Sequence, residues 1–214
     1  MESVTRKGNK ALTLAAALLL VCFLISAAVV LALNLRFIYY HDIQALGIAE
    51  SSGMSPEKIR QNYDVLIDYN LLWHKEDLRM PDFPMSAEGE IHFREVKGIF
   101  DAFQILFLVS TAGLALIWLW AREKIGRSFA RLTGWICFSL TALLGLFALI
   151  GWDHLFVAFH KVFFNNDFWI FDAATDPVIT ILPDTFFLHE ALLILSIVLL
   201  GGGLAFIWGR KKKE

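Results

Sequence analysis

Four stretches of the chain are almost free of charge: Ala11–Leu33, Phe100–Trp120, Leu132–Trp152 and Leu188–Trp208. Each reaches the roughly 20 residues that a helix needs to cross about 30 Å of hydrocarbon. The first run is longer than the roughly 7–15 residues of a signal-peptide core and is read as a retained span. The pattern predicts an all-α membrane protein, a four-transmembrane-helix bundle with an outward-facing helical segment between spans one and two.

That segment, 34–99, has a pattern of its own. Ser55-Pro56-Glu57 reads as an N-cap, a proline at the first helical position and an acid in the first turn. Ile59, Tyr63, Leu66 and Ile67 follow at helical spacing and predict an amphipathic helix over Pro56–Trp73. Pro81-Asp82-Phe83-Pro84 predicts a turn, after which a helix starts near Ser86 and runs unbroken into span two. The stretch 153–187, after span three, is crowded with aromatic residues. Interface anchoring accounts for part of them. It does not account for His160, Asn165, Asn166 and Asp167 in their midst.

Composition agrees with a membrane protein. The chain is 57% apolar and 19% charged, against about 45–50% apolar for a soluble domain. A net charge of −2 conceals a separation. Arg6, Lys7 and Lys10 precede span one; Arg122, Lys124, Arg127 and Arg131 join spans two and three; Arg210, Lys211, Lys212 and Lys213 follow span four. The positive-inside rule places 1–10, 121–131 and 209–214 in the cytoplasm. The terminal basic run is read as a stop-transfer anchor, not a nucleic-acid patch. By contrast, 34–99 holds seven basic and eleven acidic residues, and 153–190 holds Lys161 against six acids. Polar chemistry therefore gathers on the opposite, extracytoplasmic side. Cys22 and Cys137 lie within spans at different depths, which excludes a cysteine nucleophile there and makes a disulfide unexpected. Gly201, Gly202 and Gly203 predict close helix packing in span four.

Candidate chemistry narrows to histidine and carboxylate. His92 and Glu95, three residues apart, share a helix face. His92 stands about 12 Å above the apolar run at 1.5 Å per residue, where a base oriented by a carboxylate is the functional reading and a surface pair the bland one. Asp153 and His160, seven apart, share a face if span three continues as helix. His154 and His189 border span ends. Glu190, just inside span four, is placed to pair with a histidine. There is no Gly-x-Ser-x-Gly elbow, His-Glu-x-x-His or Cys-x-x-Cys.

The run Phe159-His160-Lys161-Val162-Phe163-Phe164-Asn165-Asn166-Asp167-Phe168-Trp169, continued through Asp176, Pro183 and Phe187, resembles the signature of the bacterial lipoprotein intramolecular transacylase (Lit) family. His92-Phe93-Arg94-Glu95-Val96-Lys97 resembles that family's second motif, with Glu95 where the pattern has Asp, and Asn62-Tyr63 falls where it has a similar pair. The resemblance implies a multi-pass protein of the bacterial cytoplasmic membrane. Its substrates are diacylglyceryl-modified lipoproteins within membrane lipid. It moves the sn-2 acyl chain to the cysteine α-amino group, with no soluble acyl donor or cofactor. Carried onto this chain, His160 and His92 share the proton transfers and Glu95 orients His92. Asn165, Asp167, Trp169, Asn62 and Tyr63 are substrate or oxyanion contacts, and Asp153 and Glu190 support them. Two other readings stay open at this point: a metal-dependent intramembrane hydrolase, and a non-catalytic membrane assembly or sensing protein.

Overall fold

The computed structural model describes residues 10–122 and 125–210; Arg6, Lys7, Lys124, Lys211, Lys212 and Lys213 lie outside them. Among the described residues the chain is all-helical: α1 (Lys10–Asn34), α2 (Phe37–Ala45), α3 (Ile48–Ser52), α4 (Pro56–Tyr69), α5 (Ala87–Ala121), α6 (Ser128–Ile150), α7 (Trp152–Phe163) and α8 (Asp184–Arg210), with a 3₁₀ turn at Pro177–Ile181. Helices α1, α5, α6 and α8 are long and apolar enough to cross a membrane.

The chain divides into two compact units, 1–28 with 104–146 and 194–214, and 29–103 with 147–193. The first is built on small residues. A Cβ on Gly134 would stand 2.6 Å from that of Phe206, and one on Gly202 would stand 2.5 Å from that of Cys137. Gly201 packs on Leu24, whereas nothing lies within 4 Å of a Cβ on Gly203. Helices without a hydrophobic drive to associate depend on such close approach. Thr133 adds a polar link, donating to the Ala17 carbonyl at 3.2 Å. Leu108, Val109, Leu119, Leu146 and Leu204 are exposed, as apolar side chains facing lipid would be.

The second unit has a core of ordinary globular type. Tyr39, Ile43, Ile48, Ile59, Val178 and Ile181 are fully buried in it, and Tyr63 and Phe186 nearly so. Ser55 caps α4, its hydroxyl accepting from the Lys58 N–H, with Pro56 next. The helix closes at Tyr69, short of Trp73, because the Asn70 amide donates to the Leu66 carbonyl and the Leu71 N–H turns back to Asp68. Arg36 ties α2 to α4 through Asp64 and Asp68.

Two features shape the site. Helix α5 runs unbroken from Ala87. Helix α6 does not continue into the aromatic segment: Gly151 is extended (φ 179°, ψ 99°) and α7 begins anew at Trp152.

Candidate active site

His92 on α5 and His160 on α7 meet. Their ring centres are 6.2 Å apart with planes inclined by 29°. Both are buried, at 6% and 9% exposure. Phe164 stands edge-on to His92 at 4.8 Å and Phe171 at 5.4 Å. Phe156 and Trp169 cover His160 at 4.2 and 4.6 Å.

His160 Nδ1 lies 2.7 Å from the Phe156 carbonyl. A carbonyl only accepts, so Nδ1 carries the proton and Nε2 presents a lone pair. Burial lowers the His160 pKa below the usual histidine value; the Phe156 hydrogen bond and the charge of Asp184 offset that in part. His92 Nδ1 is buried with no hydrogen-bond partner. So is the Trp169 indole nitrogen, on the ring tilted against His160. Buried polar atoms are nearly always paired. Two orphans beside one histidine pair mark a place where a polar ligand fits.

Glu95 makes no hydrogen bond to His92. Both its oxygens accept from the Asn166 amide, at 3.0 and 3.2 Å. Asn166 also accepts the Phe168 N–H at 3.1 Å. The carboxylate thus pins the 164–169 loop, which carries Phe164 and Trp169, to α5. Of the adjacent asparagines it is Asn166 that is engaged; Asn165 is exposed, as is Asp167.

Other expected site residues lie elsewhere. Asn62 is fully buried and fully used: its amide donates to the Lys58 carbonyl and Asp82, and its oxygen accepts the Asp82 N–H. It holds the Pro81–Pro84 turn and has no donor left for an oxyanion. Tyr63 stacks on Tyr39 at 3.7 Å, with Phe186 edge-on, and makes no ring contact with either histidine. Burial, then the charge of Glu190, pushes its hydroxyl pKa up. Asp153 is exposed on the first turn of α7; seven residues of helix separate it from His160 by about 10 Å, beyond a short side chain. Glu190 bonds no histidine, and its Oε1 is buried without a partner. His189 pairs with Asp42 instead, at 2.8 Å. A surface hollow of about 550 Å³ between Val65 and Arg79 contains neither His92 nor His160. Among the described residues no three His, Cys, Asp or Glu side chains converge as metal ligands.

A family model for the lipoprotein intramolecular transacylase Lit matches residues 14–187. The chain belongs to the Lit family. A solved structure of the membrane-integral lipoprotein intramolecular transacylase Lit from Bacillus cereus is 30% identical and superposes with a TM-score of 0.87, covering 92% of each chain. A variant of that protein with one histidine replaced by arginine is 29% identical, with a TM-score of 0.83 over 94% of this chain and 90% of that one. No curated protein sequence matches the chain. Like its relatives, this Lit protein is membrane-integral and an acyltransferase of the transacylase type.

Proposed function

We propose that this chain transfers the sn-2 acyl group of a diacylglyceryl-cysteine lipoprotein to the cysteine α-amino group, at the His92–His160 pair. The reading is carried by that buried pair, walled by aromatic rings and flanked by two unsatisfied nitrogens. The amine attacks the ester carbonyl, forming C–N; the C–O bond to the glyceryl sn-2 oxygen breaks. One proton leaves nitrogen and one is delivered to that oxygen, so no acyl donor is consumed.

An α-ammonium has a reference pKa of about 7.7–8.0 and must lose a proton before it attacks. As the free amine attacks, His160 Nε2, its tautomer fixed by the Phe156 carbonyl, accepts the proton that the nitrogen sheds. His92, with its ring centre 6.2 Å away, is the second carrier and returns a proton to the leaving oxygen. The Trp169 N–H is the donor for the tetrahedral oxyanion. Glu95 and Asn166 act through the loop that holds Trp169. Donor and acceptor sit on one molecule, so orientation is a large part of the rate; intramolecular systems put it at up to about 7–11 kcal/mol. The aromatic walls exclude water, which would hydrolyse the ester instead.

We also propose that Lys10, Arg122, Arg127, Arg131 and Arg210, with the basic residues outside the described region, face the cytoplasm. The site then faces the extracytoplasmic side of the cytoplasmic membrane, where lipoproteins are anchored.

The test is the product. The chain is expressed in bacteria whose lipoproteins stop at the diacylglyceryl form, and an N-terminal lipopeptide is fragmented by tandem mass spectrometry. Internal transfer leaves the intact mass unchanged, so the fragments decide. An N-acyl, lyso-glyceryl pattern is expected; an unchanged diacylglyceryl pattern with folded protein present refutes the reading.

A further inference from the structure

We propose that Asp176 is a positioning residue for His92, acting through the first turn of α5 and resting on the transacylase reading above. Asp176 is a buried carboxylate, at 3% exposure. Its Oδ1 accepts the Ser86 N–H at 2.8 Å, and its Oδ2 accepts the Thr175 hydroxyl at 2.8 Å. Ser86 in turn caps α5, its Oγ accepting the Gly89 N–H at 2.9 Å. A Cβ on Gly89 would stand 2.2 Å from Asp176 Oδ1 and 3.1 Å from its Cγ. A side chain there would have to push the carboxylate aside, so the carboxylate lies directly on the helix.

One end of this segment meets His92, and the other meets its helix three residues earlier. At one end Phe171 packs edge-on to His92 at 5.4 Å and stacks on Phe93 at 5.4 Å. At the other, after the tight turn in which the Asp176 N–H returns to the Asp172 carbonyl at 2.7 Å, the carboxylate fixes Ser86 and touches Gly89. His92 follows Gly89 by three residues, less than one helical turn. Its Nδ1 has no hydrogen bond to aim the ring, so ring and wall are aligned by packing and by the register of α5. Asp176 sets that register on the N-terminal side, as Glu95 with Asn166 does on the other.

The test uses purified full-length enzyme in lipid nanodiscs with a diacylglyceryl lipopeptide, reading kcat, KM and thermal midpoint. Gly89→Ala is expected to lower kcat about tenfold with KM within about twofold, since displacing a reacting group by 1 Å costs up to about 100-fold. Asp176→Asn keeps an oxygen for Ser86 and should retain kcat within about threefold, whereas Asp176→Ser loses about tenfold. In the Asp176→Ser background Gly89→Ala should cost less than about twofold, because the clashing atom is gone. Variants that lower only the thermal midpoint, with kcat per folded enzyme unchanged, overturn the proposal and leave Asp176 a plain cap. Additive losses in the double variant overturn it too. If Gly89→Ala does not fold, the Asn and Ser variants at Asp176 decide alone. Wild-type enzyme that forms no lyso-form product would instead count against the transacylase reading itself.

Discussion

Two histidine pairs in the second unit are built on opposite terms. His189 donates to Asp42, a carboxylate at 1% exposure, at 2.8 Å. That pair holds α8 against α2, each side chain bonded to the other. His92 and His160 have each other and aromatic rings; His92 Nδ1 has no protein partner, and neither does the indole N–H beside them. By residue type alone the Asp–His pair looks the better general base. Its geometry is that of a satisfied structural contact, since a buried carboxylate without its partner is costly. The unsatisfied pair is the one shaped for something that arrives from outside. On the proposed reading, stability and catalysis fall to different histidines of one unit, and substitutions should separate them.

The largest expected effect is on His160. His160→Ala should lower the transfer rate by at least about 1,000-fold, and His92→Ala by about 100-fold or more, with folded yield preserved. Initial rates on a diacylglyceryl lipopeptide check this. Trp169→Phe keeps a ring on His160 and removes the N–H. It should cost about 100-fold or more in kcat with KM little changed, the scale of one oxyanion donor. A near-wild-type rate in Trp169→Phe, with loss only in Trp169→Ala, would assign the residue to packing alone.

The pH profile is a milder test. The amine must be free, so log kcat/KM should rise with unit slope up to about pH 8. His160 must be neutral, and burial lowers its pKa. The second, enzyme-borne limb should therefore appear only below the ordinary histidine value of about 6.5, steepening the slope to two. A steepening already above pH 7 would mean that the base is not His160. The smallest effect on rate is expected at the other pair. His189→Ala should lower stability by about 1–3 kcal/mol through the stranded Asp42, and leave the rate per folded enzyme within about threefold. Thermal melts read alongside initial rates make that distinction.

The difference between the pairs also marks what could be read from the chain. The four long helices were legible because charge-free runs of spanning length have one common explanation. His160 stood out because it interrupts an aromatic stretch, and His92 because a carboxylate follows it by three residues. What surrounds them was less legible. Helical spacing put Glu95 beside His92, but its partner Asn166 is 71 residues away along the chain, and no local period reports such a contact. Asn165 and Asn166 are indistinguishable by type; the loop conformation decides which faces α5. Asn62 was drawn into the site by its neighbour Tyr63, although both sides of its amide are spent on the backbone and Asp82 around the Pro81–Pro84 turn. Asp153 and His160 do share one helix, α7, but two turns of it part them and Asp153 is exposed. Asp176 stood in the family-like run with no role attached, because its meaning lies in Gly89, whose missing side chain is visible only when the carboxylate is seen against it.

The most direct measurement compares His160→Ala with His189→Ala, each at matched folded concentration in nanodiscs, by the initial rate of N-acyl lyso-lipopeptide formation. The account predicts a loss of at least about 1,000-fold for the first and less than about threefold for the second. Comparable losses in both variants, with both folded, would contradict it, because the Asp42-paired histidine would then take part in the chemistry.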